Sequence, residues 1–181
     1  MTTFIAQYKA PRKTTRLLAL PLLLLLALGS VAFAAAPALI VTPYYSVTTP
    51  AGWEVDRDEG EKAKVVFIKS SAMFDEIYLS INATKMKKQL SIERAWDMLK
   101  PQFVTEKAKV ISDGEEALNG VAWQKVVYTD RVSDMEMKHM VLFTIKNDKS
   151  FIIQFGSPEK KWDESLAQAT EAVKSIKFKT R

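Results

Sequence analysis

Hydrophobic and polar residues alternate over much of the second half of the chain, and the most continuous stretch runs from Ala117 to Phe155. Val121–Val132 is rich in β-branched and aromatic residues. Met135–Lys146 follows after Ser133-Asp134, and Ser150–Gly156 follows after Asn147-Asp148-Lys149, so the segment predicts a meander of three strands. In the middle strand Met135, Met137, His139, Val141, Phe143 and Ile145 share one face, and Met140 and Leu142 make the centre of the other face apolar too. The last strand, Phe151-Ile152-Ile153-Gln154-Phe155, is apolar on both sides, which requires something to cover each face of the sheet.

Two amphipathic stretches can supply that cover. Ser91 can cap a helix in which Ile92, Ala95, Trp96, Leu99 and Phe103 recur at helical spacing, with Pro101 expected to end or kink it. Ser157-Pro158-Glu159 reads as cap, first helical residue and first-turn acid of a second helix bearing Trp162, Leu166, Ala169, Val173 and Ile176. Further strands are expected at Tyr45–Thr49, Lys64–Lys69, Glu76–Ala83 and Lys109–Ser112, with turns at Pro50-Ala51-Gly52, Asp113-Gly114 and Asn119-Gly120. Ile176-Lys177-Phe178 finishes the chain as an extended tail over the sheet.

The first residues follow a different pattern. Lys9, Arg12, Lys13 and Arg16 precede an apolar run, Leu17–Val31, and Ala32-Phe33-Ala34 supplies small residues at the spacing a signal peptidase reads. Residues 1–34 are therefore expected to be a signal peptide cut between Ala34 and Ala35; the alternative is an uncleaved anchor over 17–41. Residues 35–44 would be a flexible lead-in and 45–179 the folded domain, outside the cytoplasm in either case.

The leader also alters the charge balance. It holds four of the 26 Lys and Arg residues and none of the 21 Asp and Glu, so the remainder carries 22 against 21, a net of about +1. That leaves no electrostatic case for nucleic acid. With no cysteine the chain cannot form disulfides or carry a lipidated cysteine at the cut, and a domain of roughly 145 residues must be held by its core.

Few residues invite chemistry. His139 is the single histidine, which together with the missing cysteines excludes thiolate and multi-histidine metal sites; on an apolar strand face it reads first as a hydrogen-bonded core residue. The loop Asp56-Arg57-Asp58-Glu59-Gly60-Glu61 fails the calcium-loop template, with glycine one position early and Phe67 where a glutamate is needed. Lys85-Met86-Lys87-Lys88, the densest basic cluster, reads as a solvated connector that could also touch anionic lipid or an acidic partner. Trp53, beside the Pro50–Gly52 turn, is expected to reach the core; were it exposed, it would mark a partner-contact surface. No cofactor is expected.

Three local patterns resemble the PsbP-like group, which includes photosystem II PsbP, the Ran-binding nuclear import factor and the DcrB-like bacterial envelope proteins. They are Tyr45-Ser46-Val47-Thr48-Thr49-Pro50-Ala51-Gly52-Trp53, Leu118-Asn119-Gly120-Val121-Ala122-Trp123, and the last helix running into Ser175-Ile176-Lys177-Phe178. The resemblance implies an α+β fold: a single-domain α/β/α sandwich with a central antiparallel sheet and a helix layer on each face. It implies an accessory or binding module, and no metal-ligating residues of the photosynthetic members carry over. The expectation is an exported, monomeric, non-catalytic module acting on an envelope protein or complex, meeting a membrane only if the leader is retained. The alternative is a small-molecule or metal binder, or a small enzyme, using carboxylates and His139 in a cleft between sheet and helix.

Overall fold

The structure is a computed structural model, and it describes residues 36–56, 63–69, 76–86, 89–132 and 135–180. The expected signal-peptide cut at Ala34 and Ala35, the acidic loop after Asp56, and Lys87-Lys88 lie outside the described residues.

Alternation in the sequence becomes an α+β fold dominated by antiparallel strands. Seven strands form the large sheet: β3 (Glu54–Asp56), β4 (Lys64–Lys69), β5 (Ile77–Lys85), β6 (Lys109–Leu118), β7 (Val121–Val132), β8 (Met135–Lys146) and β9 (Lys149–Pro158). Their order is β3-β4-β5-β9-β8-β7-β6, every neighbouring pair antiparallel. A second sheet of order β1-β2-β10 is built from β1 (Leu39–Val41), β2 (Tyr45–Thr48) and β10 (Lys177–Phe178).

The meander has four strands rather than three. Lys109–Ser112 and Glu115–Leu118, expected as separate pieces around a turn at Asp113-Gly114, join into β6, and a register shift between Val110 and Ser112 marks a bulge at Ile111. The expected turn at Asn119-Gly120 is present, both residues at positive φ (55° and 69°), and Asn147-Asp148 repeats the device (51° and 58°). Two-residue turns with both central residues left-handed match the twist of the strands they join.

Alternation along β7 and β8 divides the apolar residues between two clusters. Val126, Tyr128, Val141 and Phe143 pack with Ala95 and Trp96 of α1 (Ile92–Phe103), and the Trp96 ring stacks on Phe143 at 6.0 Å. Val127, Met140 and Leu142, offset by one position, belong to the larger cluster with Phe155, Ala169 and Val173, the last two from α2 (Trp162–Lys174), and with Tyr45 and Val47 of the small sheet. α1 starts as expected: Arg94 N–H donates to Ser91 Oγ at 3.3 Å. The helix runs through Pro101 and ends only two residues later.

Two expectations about element ends are corrected. Ser157 and Pro158 belong to β9, with Pro158 opposite Met137, so α2 begins at Trp162 after a 3-10 turn at Glu159–Lys161. The segment expected as a flexible lead-in contains β1, whose Ile40 is buried. The apolar character that made Leu39–Val41 look like the tail of the leader is that of a strand with one residue in the core.

Candidate functional site

Cross-strand pairing brings ionisable side chains into one row. Tyr78 on β5 lies opposite Gly156 on β9, Gly156 opposite His139 on β8, and His139 opposite Tyr128 on β7, all on one face because directly paired residues share a side. Asp130 stands two residues beyond Tyr128. Its Oδ1 lies 2.9 Å from His139 Nε2, and the Tyr78 hydroxyl lies 3.3 Å from His139 Nδ1. A carboxylate only accepts, so Nε2 carries the proton donated to Asp130, and in the neutral ring Nδ1 accepts from Tyr78. His139 is 7 % exposed and stacks on Tyr128 at 4.9 Å.

Gly156 is the condition for this arrangement. A Cβ there would meet Tyr78 Cε1 at 2.4 Å, so the tyrosine ring crosses β9 only where no side chain stands. Burial pushes the Tyr78 phenol above its ordinary range, with the charges of Asp130 and Glu76 adding to the shift. Burial likewise pushes Tyr128 strongly up, helped by Tyr78 and Asp130. Both phenols therefore stay protonated, Tyr78 as a donor to His139, while the Asp130 side chain, 28 % exposed, connects the network to solvent.

The other sequence candidates separate from this site. Trp53 is 1 % exposed and its Nε1 donates to Gln168 Oε1 of α2 at 2.8 Å, so its ring anchors the β2–β3 turn under the helix and is not available as a contact surface. Trp96, Trp123 and Trp162 are buried too. Lys85 ends β5 and is exposed. Among the described residues no three His, Cys, Asp or Glu side chains come together to hold a metal ion.

Sequence reasoning missed two surface features. β6 is the outer strand of the large sheet, ten residues long and largely exposed, with Val110 and Ile111 solvent-facing. Its acids are engaged locally: Asp113 with Lys100 of α1, Glu116 with Lys125, and Glu115 accepting from Gln124. Beside it, a cavity of about 90 Å³ lies between strands and α2, lined by Glu116, Lys125, Met140, Leu142, Leu166 and Val173 among others. The hydrophobic pattern alone could not reveal the outer position of β6, because its pairing partner on one side is absent only in three dimensions.

No protein-family model matches the chain, and no curated protein matches its sequence. Solved structures do match in shape. LpqN of Mycobacterium tuberculosis, described as involved in cell envelope biogenesis, superposes with a TM-score of 0.59 at 6% identity, covering 78% of this chain and 90% of its own. Cyanobacterial PsbP from Synechocystis superposes at 0.53 with 15% identity, covering 83% and 96%. A Pseudomonas aeruginosa protein of unknown function does so at 0.50 with 12% identity, covering 77% and 94%. At these identities the likeness concerns architecture, and by it the chain has the fold of the PsbP-like group.

Proposed function

We propose that the chain is an exported binding module that engages an envelope protein without performing chemistry on it. The observation that carries this reading is the free outer edge of β6, whose backbone groups on one side have no strand partner among the described residues. A long edge strand is a template for a strand from another chain. Asp113 and Glu116, ion-paired with Lys100 and Lys125, and Glu115 give the edge charged side chains, a feature that disfavours pairing of β6 with its own copy and leaves room for a partner strand of other composition.

Several observations support the remainder of the reading. The basic, apolar and small-residue leader favours a place outside the cytoplasm, and a matching fold occurs in a protein described as involved in cell envelope biogenesis. Among the described residues no helix is long and apolar enough to cross a membrane. The packing of α1 on one set of strand residues and α2 on the alternate set favours the α/β/α sandwich, the small sheet sharing the layer of α2. The test is a photo-crosslinking residue at Ile111, with Glu159 as control position, in intact cells. One recurrent adduct from Ile111 alone, lost in a Val110→Lys variant, is expected; recovery of uncrosslinked monomer from both positions would overturn the proposal.

A second reading has an observation of its own. Tyr78, which reaches His139, shares one face of β5 with Ser80 and Asn82, and Gln154 stands opposite Ser80; these half-buried polar residues would meet a small polar molecule. A thermal-shift panel of metabolites and metal ions decides it: a ligand at a hundred times its Kd stabilises by about 2.7 kcal/mol. No stabilisation at millimolar ligand rejects this reading.

A further inference from the structure

We propose that the end of the domain where β1, the β8–β9 turn and the last strand meet docks on a bilayer of anionic phospholipid. Five lysines gather there. Lys85, Lys149 and Lys146 form one cross-strand row, Lys85 opposite Lys149 and Lys149 opposite Lys146. Lys177 pairs through β10 with Ser46, and Lys179 donates to the Thr42 carbonyl. These segments are in direct contact. Met86 N–H donates to the Asp148 carbonyl, Asn147 Nδ2 to the Lys179 carbonyl, and Lys179 N–H to the Tyr44 carbonyl. Lys149 lies over the Tyr44 ring and Lys146 over Phe178. Asp148 is the one acid in the described residues 84–86, 146–149 and 177–180, and among the described residues none of the five lysines is ion-paired.

The same end presents hydrocarbon. In β1, Leu39 and Val41 are 66 % and 55 % exposed while Ile40 between them is buried, so the two point outward together. Val41, Ser46 and Lys177 stand opposite one another across β1, β2 and β10, which places a cation in the row of an exposed valine. In the sequence the apolar run expected to meet a membrane during export precedes β1.

A bilayer fits this combination better than an acidic protein does. Clusters of four to eight basic residues beside an apolar element are recognised by anionic headgroups, and stable membrane association takes an apolar and an electrostatic contribution acting together. An acidic protein would satisfy the lysines and leave Leu39 and Val41 with no reason to face outward. This contact is separate from the β6 edge and goes beyond the expectation that the leader alone decides whether the protein meets a membrane.

The chain contains no cysteine, so Val41→Cys and, at the opposite end of the sheet, Glu159→Cys each give one labelling position for an environment-sensitive fluorophore. The protein is purified as cells export it, and mixed with vesicles of phosphatidylglycerol and phosphatidylcholine or of phosphatidylcholine alone. A blue shift at position 41 with the anionic vesicles only, and none at 159, is expected. Combined Lys85→Glu, Lys149→Glu and Lys177→Glu should weaken binding on the order of 100-fold. Raising salt on the unsubstituted lysines should weaken it as well, which keeps the test valid should the triple variant fail to fold. Where the leader proves to be retained, the full chain is used and the phosphatidylcholine arm measures the leader's own contribution. No blue shift at 41, an equal shift at 159, equal response to uncharged vesicles, or salt-insensitive binding would each overturn the proposal.

Discussion

Tyr78 reaches His139 across a strand, and a single missing Cβ makes that possible. Gly156→Ala places a methyl group inside the Tyr78 ring, forcing the ring aside and breaking its hydrogen bond; overpacking of this kind costs about 1–3 kcal/mol. Urea denaturation should show that loss in the otherwise unaltered protein and little of it in a Tyr78→Ala background, where the methyl meets no ring. Equal losses in both backgrounds would mean that the close approach is not the cause. The raised phenols make a second prediction. A tyrosine that holds its proton more firmly folded than unfolded stabilises the fold fully below its unfolded pKa near 10, and that contribution declines as pH rises above it. Melting temperature should therefore fall from pH 10 upward, and Tyr128→Phe should make that fall shallower; identical slopes would reject the assignment. Half of this site was legible in the sequence. Two residues separate the expected strands Val121–Val132 and Met135–Lys146, and antiparallel pairing of Val132 with Met135, counted back, sets Tyr128 opposite His139 with Asp130 two residues along. Tyr78 was not legible, because β5 joins β9 only after α1 and three strands have intervened.

Elements follow local pattern where their partners are near in sequence and depart from it where distant pairing decides. Asn119-Gly120 combines a strong hairpin turn with flanking alternation, and it forms as expected. Asp113-Gly114 also reads as a turn, yet nine paired positions with β7 hold both residues within β6, and the excess residue is taken up by the bulge. Ser157-Pro158-Glu159 has the composition of a helix start, but pairing of Ser157 with Lys138 and of Pro158 with Met137 extends β9 through it. The Asn119 turn has a further task that only the structure reveals. Its Nδ2 donates to the carbonyls of Val173 at 3.1 Å and Lys174 at 2.7 Å at the end of α2, the first of which also accepts from Ile176 N–H. Asn119→Gly keeps the left-handed backbone and loses only those bonds, at roughly 0.5–1.5 kcal/mol each. Asn119→Ala adds the strain of a left-handed alanine, about 1–2 kcal/mol. Chemical denaturation should rank the proteins wild type, Asn119→Gly, Asn119→Ala; equal stability of the two variants would remove the backbone component.

At the scale of the molecule, the central sheet and both helices were legible because each has a periodicity of its own, whereas the small sheet was not. β1 is three residues long and follows an apolar run in the sequence, so nothing in its pattern separates it from that run; β10 is two residues long and pairs with a strand more than a hundred residues earlier. Yet the small sheet joins the ends of the domain to its centre. The Tyr45 hydroxyl donates to the Ile81 carbonyl of β5 at 2.8 Å, and Phe178 meets Phe151 edge-on at 4.7 Å. Thr48 N–H donates to Ser175 Oγ, which in turn donates to the Ala172 carbonyl at the end of α2. The position of any N-terminal cut would therefore bear on stability. A chain beginning at Ala35 keeps four residues ahead of β1 and leaves Ile40 in place. A chain beginning at Thr42 loses β1, its pairing with β2 and the burial of Ile40, which alone is worth about 1.5–3 kcal/mol. Thermal and urea melts of the two chains should differ by at least that amount, with the shorter one also exposing the edge of β2 to aggregation. Superimposable melts would show β1 to be dispensable, and the cut could then fall anywhere before Tyr45 without consequence for the fold.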